Sequence, residues 1–327
     1  MNILVTGGAG YIGSHACRAL AAAGYTPVTY DNLSKGRRNA VLWGPLETGD
    51  LRDADRLAQV FDAYRPAAVM HFAGFIEVGE SVTDPATCWD SNVIGSFRLA
   101  EAMVNAGCRN LVFSSTCAVY DGTTGALLNE TSPISPINAY GRSKHATEMM
   151  LHDFGTAHDL RTVMFRYFNV AGAHRGAGIG QAHDGAATHI IPRLLMALAG
   201  GQSHMTIHGD DYDTPDGTCV RDYIHIDDLV RAHVSGLERL LGGGEGGTFN
   251  LGTGTGASVR DVIETASRVV GFPPQIQVGP RRAGDAARLI SGSEKAAEAL
   301  GWSPESSDLE TIIGDAWAWH QTRGWER

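Results

Sequence analysis

The segment Thr6-Gly7-Gly8-Ala9-Gly10-Tyr11-Ile12-Gly13 decides how the rest of the chain is read. It follows a compact β-like run, Asn2–Thr6, and opens an alanine-rich helical pattern over 11–23. Gly7, Gly10 and Gly13 are spaced G-x-x-G-x-x-G. Such a loop turns tightly, lets backbone approach a pyrophosphate, and offers free N–H groups at the positive end of the following helix. Asp31 closes the next β-like run, 18 residues after Gly13. An acid at that place accepts the adenosine ribose hydroxyls and disfavours a 2′-phosphate, which points to NAD over NADP. Asp50, after a third strand, has two readings: a bond to the adenine amine, or a cap for a helix starting near 52–54.

Outward from this loop, β-like runs alternate with helical patterns. Runs at 26–30, 67–73, 110–115 and 161–167 are separated by helical patterns at 53–64, 85–106 and 139–155. Continuous apolar strands alternating with helices predict a doubly wound parallel α/β sheet covered on both faces. After Phe168 the character changes. The stretch 171–185 carries five glycines and reads as loop. Helical patterns return at 191–198, 226–241, 259–270 and 309–321, with short β-like pieces at 204–208 and 248–251. The run 242–247 reads as a surface connection. The expected organisation is a Rossmann domain over 1–168 and a smaller, irregular α/β lobe over 169–327, with later segments returning to the first domain.

Composition bounds the function. Of 327 residues, 41 are glycine, 43% are hydrophobic and 19% are charged, a globular composition. A net charge of −10 argues against a general nucleic-acid binder, so phosphates must be met locally. No run approaches the ~20 apolar residues that cross a bilayer, and the first residues lack a signal-peptide pattern. Five cysteines without C-x-x-C spacing read as reduced, cytoplasmic thiols. His204 and His208 lie four apart in a β-like stretch without a neighbouring acid, and no metal site is expected.

Tyr140-Gly141-Arg142-Ser143-Lys144 places a phenol and an amine on one face of a helix start. A tyrosine of ordinary pKa ~10 needs a nearby cation to act as a base at neutral pH. Lys144 is expected to supply that charge, together with the nicotinium ring.

With Ser114-Ser115-Thr116, the glycine loop and the Tyr-x-x-x-Lys pair resemble the extended short-chain dehydrogenase/reductase superfamily. More narrowly, Val69-Met70-His71-Phe72-Ala73-Gly74, Val78-Gly79-Glu80-Ser81, Arg166-Tyr167-Phe168-Asn169 and Asp216-Gly217-Thr218-Cys219-Val220-Arg221-Asp222-Tyr223-Ile224-His225 look like the UDP-glucose 4-epimerase family. The match runs from residue 1 to about Trp302. The resemblance implies tightly held NAD, a UDP-sugar in the second lobe and a homodimer through two surface helices. Tyr140 would take the proton from the sugar 4-hydroxyl while C4 passes hydride to the nicotinamide. Thr116 would bond that hydroxyl, and Lys144 the nicotinamide ribose. The 4-keto sugar would turn over and accept hydride on its other face. By the same resemblance, Gly7, Gly10, Tyr11, Ile12, Gly13, Asp31, Asn32, Asp50, Leu51, Phe72, Ala73, Gly74, Asn92, Ser114 and Tyr167 join Tyr140 and Lys144 around the cofactor.

On the sugar-nucleotide side the resemblance implies Asn169 and His189 near the diphosphate, Arg221 and Arg282 neutralising it, and Asp285 on the uridine ribose. His208 stands where Phe usually packs the uracil, and Ile76 where many members carry lysine. Leu289 occupies the position whose bulk limits the sugar 2-substituent, which leaves N-acetylhexosamines and pentoses open as alternatives to hexoses. The related 4,6-dehydratases carry Asp-Glu after the threonine; here Thr116 is followed by Cys117-Ala118-Val119-Tyr120, with no carboxylate. The rival of another class is a non-catalytic NAD-binding regulator, a type that typically loses the Tyr or the Lys; this chain keeps both.

Overall fold

The structure, a computed structural model, describes residues 1–120, 127–182, 187–200, 204–282 and 285–322. Its centre is a seven-stranded sheet built from β1 (Asn2–Thr6), β2 (Thr26–Asp31), β3 (Leu46–Thr48), β4 (Ala68–His71), β5 (Asn110–Ser114), β6 (Arg161–Tyr167) and, from much later in the chain, β11 (Gly247–Leu251). The spatial order is β11-β6-β5-β4-β1-β2-β3, and every neighbouring pair is parallel. The order reverses direction at β1. In doubly wound sheets the crevice at such a switch point binds the ligand, and the glycine loop leaves β1 there.

Alternating side chains of the strands feed two cores. Ile3 and Val5 pack with Ala16, Cys17 and Leu20 of α1 (Tyr11–Ala22) and with Ile226 and Leu229 of α8 (Ile226–Leu241). Leu4 points to the other face, where Leu57 and Val60 of α2 (Ala54–Tyr64), Leu99 and Met103 of α5 (Gly95–Asn105) and Leu151 of α6 (Ala139–His158) cover it. Burial on both faces explains why the strands read as unbroken apolar runs.

The pattern over 85–106 is not one regular helix. After α3 (Val78–Thr83), Asp84 caps α4 (Pro85–Trp89) by accepting from Thr87 N, and a π-helical turn, Asp90–Ile94, then joins α4 to α5. The turn buries only the polar Asn92 and leaves Ile94 exposed, so no apolar pattern marks it in the sequence. Inserted π turns often mark functional sites, and this one carries Asn92.

Beyond β7 (Asn169–Ala171), a strand falling partly inside the predicted loop, residues 172–182 form no regular element, while Gly185 lies outside the described residues. The remaining elements are α7 (Ile190–Leu198), β8 (Met205–His208), β9 (Val220–Arg221), β10 (Tyr223–His225), β12 (Ala257–Ser258), α9 (Val259–Val270), β13 (Ile276–Gly279), β14 (Arg288–Leu289), α10 (Glu294–Leu300) and α11 (Leu309–Gln321). Small sheets pair β10 with β7, β13 with β8, and β9 with β12 and β14. Leu194 of α7, Val262 and Ala266 of α9, and Ile312 and Ile313 of α11 form a third core. The glycine run after α8 is more than a spacer: a Cβ on Gly246 would lie 2.3 Å from the Thr162 carbonyl oxygen, so glycine is what lets β11 dock beside β6.

Candidate active site

The glycine loop is crowded enough to exclude any side chain. Gly7 has φ +71°, and a Cβ there would sit 2.6 Å from Ala73 N; one on Gly13 would sit 2.1 Å from the Gly7 oxygen. Loop, β4 end and helix start therefore close on one another. Gly10 caps α1 without a side-chain bond, and the first turn holds no acid, so the N–H groups of Tyr11, Ile12 and Gly13 face the crevice without a side-chain competitor. The Tyr11 hydroxyl donates to the Gly172 carbonyl at 2.7 Å, tying this helix to the segment after β7.

Asp31 accepts from Ala9 N at 3.0 Å and Leu33 N at 2.8 Å, which fixes its carboxylate beside the loop; burial nonetheless raises its pKa. Each oxygen keeps a lone pair for a ribose hydroxyl. Asn32 donates to Asp50 at 2.9 Å, and Asp50 also receives two guanidinium bonds from Arg52 at 2.7 Å. These bonds, the Arg52 side chain first, hold the Asp50 carboxyl well below its usual range. The helix cap expected of Asp50 is supplied by Asp53, which accepts from Arg56 N at 3.0 Å. Leu51 is buried, and Phe72, Ala73 and Gly74 continue from β4, Ala73 N donating to Thr6 O at 3.1 Å. Asn92 accepts from Phe75 N at 2.7 Å and donates to Phe75 O at 3.1 Å and Ser143 Oγ at 2.9 Å. A Cβ on Gly74 would meet Asn92 Oδ1 at 2.7 Å and lie 3.6 Å from Lys144 Nζ, so the backbone after β4 runs directly against the lysine. This cradle of glycines, an uncapped helix start and a strand-end acid fits a dinucleotide.

Lys144 is buried, its Nζ donating to the Ser114 carbonyl at 3.0 Å and lying 4.9 Å from the centre of the Phe113 ring. Burial lowers its pKa to about 8. The Tyr140 phenol does not show the depression expected from Lys144. Burial drives its pKa to about 12, and the one opposing influence is the Thr116 hydroxyl. The ammonium is committed to the Ser114 carbonyl, so the protein alone leaves the phenol a weak acid. Thr116 Oγ1 accepts from Ala118 N at 3.0 Å and keeps its own proton. Ser114 Oγ pairs with His233 Nε2 at 3.0 Å.

Asn169, His189, His208, Arg221, Arg282 and Asp285 all line one cavity of about 230 Å³. Arg221 is braced by the Ala286 and Val220 carbonyls at 2.8 and 2.9 Å and lies 3.5 Å from Asp285. Burial lowers the pKa of His189, the N-cap of α7, and of His208, where Arg282 and Arg193 add to the effect. A neutral imidazole suits stacking. Leu289 is not on this lining: like Phe168, it packs against the cluster of Cys117, Val119, Tyr120 and Leu128. Ile76 is 52% exposed and contributes no charge.

Several supporting residues carried no sequence signal. Arg166 forks onto Glu148 at 2.9 and 2.5 Å, Ser115 Oγ donates to Glu148 at 2.5 Å, and Arg166 also donates to Tyr120 at 2.9 Å, all buried. Glu148 stands four residues beyond Lys144 on the same helix face, a spacing that extends the Tyr-x-x-x-Lys pattern and could have flagged it. His233, distant in sequence, offered none.

The NAD dependent epimerase/dehydratase family model matches residues 3–252. A UDP-glucose 4-epimerase of Rhizobium meliloti is 49% identical, with 98% of each chain covered. The crystal structure of a UDP-glucose 4-epimerase from Brucella ovis in complex with NAD is similar at 46% identity and TM-score 0.95, covering 97% of each chain. A UDP-glucose-4-epimerase from Stenotrophomonas maltophila with bound NAD and formylated UDP-arabinopyranose is 38% identical, with TM-score 0.96 and 100% coverage of both. With the doubly wound sheet, the glycine cradle and the Tyr140–Lys144 face already in place, the chain belongs to the NAD-dependent epimerase/dehydratase family, within its UDP-glucose 4-epimerases.

Proposed function

We propose that Tyr140, Thr116 and Lys144 are the working groups of this NAD-dependent 4-epimerase, interconverting UDP-galactose and UDP-glucose. When bound, NAD supplies both a reversible acceptor for the hydrogen on sugar C4 and a positive ring charge beside the phenol. Tyr140 Oη removes the proton of the 4-hydroxyl and returns it after the sugar has turned. A phenol of pKa about 12 is ionised to only about one part in 10⁵ at pH 7, so the protein holds its base in reserve until a cation lies next to it. The Thr116 proton bonds the phenol oxygen or the sugar oxygen as charge passes between them. Lys144, held by the Ser114 carbonyl, spends its remaining protons on the cofactor ribose.

Around the cofactor we assign Gly7, Gly10, Tyr11, Ile12 and Gly13 to the pyrophosphate, Asp31 and Asn32 to the adenosine ribose, and Asp50 and Leu51 to the adenine side. Phe72, Ala73, Gly74, Asn92, Ser114 and Tyr167 complete the nicotinamide half. Asn169, His189, Arg221 and Arg282 would hold the diphosphate, and His208 and Asp285 the uridine. The single observation that carries the reading is the buried Lys144 ammonium bonded to the Ser114 carbonyl at the end of β5, two residues before Thr116 and one helical turn from Tyr140 on α6.

Leu289, of intermediate bulk, supports a second reading in which N-acetylhexosamines or pentoses are also epimerised. A structurally similar protein from Campylobacter jejuni is described as a UDP-Glc/GlcNAc 4-epimerase, at 38% identity and TM-score 0.86. We also propose a homodimer through α5 and α6, supported by apolar side chains left exposed at Ile94, in the π turn that leads into α5, and at Met149 on α6. Five free, buried cysteines support a cytoplasmic location. Incubation with UDP-galactose, UDP-GalNAc and UDP-arabinose tests the function: UDP-galactose is expected to yield UDP-glucose of unchanged mass. No conversion of any of the three would sink the reading.

A further inference from the structure

Three polar side chains of α1, Tyr11, His15 and Arg18, stand at i, i+4 and i+7 and so share one face of the helix. That face meets the segment after β7, residues 172–175. The Tyr11 hydroxyl donates to the Gly172 carbonyl at 2.7 Å. His15 Nδ1 lies 2.7 Å from the Tyr11 carbonyl, which only accepts, so Nδ1 carries the proton and Nε2 is bare. Burial lowers the His15 pKa to about 4 and keeps the ring neutral. The bare Nε2 accepts from His174 N at 3.4 Å, a long bond. The side chain of the same residue makes a stronger one: His174 Nδ1 donates to Asp227 Oδ2 at 2.7 Å, while Arg18 reaches Asp227 Oδ1 at 3.3 Å.

The seat of this segment admits only glycine. Gly172 has φ +93°, and a Cβ there would lie 2.6 Å from Cδ2 and Nε2 of the buried His225. His225 in turn caps α8, its Nδ1 accepting from Asp227 N at 3.0 Å. The carboxylate that receives His174 and Arg18 is therefore itself fixed at the first turn of α8. Arg175 continues the attachment to α11 by donating to Asp315. Residues 172–175 belong to no regular element, yet they are bonded to α1, α8 and α11.

We infer that residues 172–175 form a clasp on α1, with His174 as its positioning residue, and that the clasp holds the first turn of α1 in the orientation that retains NAD. This deepens the proposed function and rests on the assignment of Tyr11, Ile12 and Gly13 to the pyrophosphate. Those N–H groups belong to the turn that the clasp engages through the hydroxyl and the carbonyl of Tyr11. A turn fixed before the cofactor arrives loses less freedom on binding it, so a preorganised site holds its ligand longer. The clasp also continues directly from β7, whose Asn169 and Ala171 line the sugar-nucleotide cavity, and so joins the two sides of the cleft.

The test is the rate of NAD release from the loaded protein without any sugar nucleotide, read as cofactor remaining after timed gel filtration. His174→Ala removes the donor to Asp227 and keeps the backbone N–H. Release is expected to quicken about 10-fold, as for the loss of one charge-assisted bond. His174→Asn places an amide donor where Nδ1 stands and is expected to bring release back to within about threefold of wild type. Tyr11→Phe is expected to quicken release about 5-fold, and less than multiplicatively on combination with His174→Ala, because both act through one segment. Unchanged release in His174→Ala, equally fast release in His174→Asn, or fully multiplicative factors would each overturn the inference. The NAD-free His174→Ala protein is expected to melt within about 3 °C of wild type; a larger fall would mark general destabilisation and overturn the positioning role. With NAD saturating, the kcat of His174→Ala for UDP-galactose is expected within about twofold of wild type, and a kcat still low there would move the effect from retention to chemistry, against the inference. Wild type that epimerises no UDP-sugar would sink the proposed function itself, while the release measurement, made without sugar, would still decide the clasp.

Discussion

The two sides of the cleft are built by opposite means. The cofactor-facing side grows from consecutive strand ends of one parallel sheet, and its key groups are already bonded within the protein: Asp31 to two backbone amides, Asn92 to Phe75 and Ser143, and Asp50 to Asn32 and Arg52. The sugar-nucleotide side collects Asn169, His189, His208, Arg221, Arg282 and Asp285 from short strands, loops and a helix start spread over more than a hundred residues. A side welded to the core should fail by losing fold and cofactor together. A side assembled from surface pieces should fail in affinity alone. Substitutions on each side, and at the seam between them, can break this contrast.

The largest effect belongs to the seam. Tyr140→Phe removes the hydroxyl proposed as the base and leaves the ring in place. Turnover is expected to fall about 10²–10⁴-fold, with KM and melting temperature little changed, because general-base catalysis is lost while binding is not. Steady-state kinetics with UDP-galactose reads this directly; a residual rate above a tenth of wild type would mean that another group takes the proton.

On the welded side, Gly13→Ala places a methyl 2.1 Å from the Gly7 oxygen, a backbone atom that cannot yield without moving the loop. Overpacking of this kind costs about 1–3 kcal/mol. A lower melting temperature and at least about 10-fold weaker NAD retention are expected together, measured by calorimetry and by cofactor content after dilution. Loss of one without the other would show that loop and core are not coupled.

What was legible in the sequence follows the same divide. β1, β4 and β5 at the centre of the sheet could be read because they are buried on both faces and carry apolar runs, whereas the edge strand β3, Leu46-Glu47-Thr48, is not buried and carries none; α8, α9 and α11 could be read because each shows one buried stripe. β9, β12 and β14 have two residues each, shorter than one full alternation, and no pattern can announce them. The π turn at Asp90–Ile94 buries only the polar Asn92 and leaves Ile94 exposed, so no apolar pattern marks it. At the site, the glycine loop and the Tyr140–Lys144 pair stand out because local spacing carries their chemistry. The direction of the Lys144 ammonium toward Ser114 is a tertiary fact, and so are the Ser114–His233 contact and the Arg166–Glu148 fork.

Arg282→Ala tests the assembled side. The side chain is exposed and lines the cavity, so its removal should leave the melting temperature within about 1 °C. A charge-assisted bond to a phosphate oxygen contributes about 1.5–3 kcal/mol, which corresponds to a KM for UDP-galactose raised about 10- to 100-fold with kcat preserved. Raising the salt concentration should erode the wild-type advantage. A stability loss without a KM effect would place Arg282 among the structural residues and blur the contrast.

The smallest effect is expected at Asp50, and it is the one that separates a bonded residue from a binding one. Its carboxylate is held by the half-exposed Arg52 guanidinium and by Asn32, close to the surface, where such pairs contribute about 0–1 kcal/mol. Asp50→Asn keeps an oxygen for Arg52 and adds an amide that can no longer accept from the adenine amine on that side. If Asp50 serves mainly to orient Asn32 and Arg52, NAD retention should change less than about threefold and stability by less than 1 kcal/mol. If it holds the adenine, the loss of a charged acceptor should weaken retention about 10-fold while stability stays put. The folded carboxyl pKa is depressed, so its stabilising contribution is present above the unfolded value near 4 and is lost as pH falls through the folded value. Wild type and Asp50→Asn should therefore differ most in melting temperature at neutral pH and converge in acid, a pattern that adenine binding alone would not produce in the NAD-free protein.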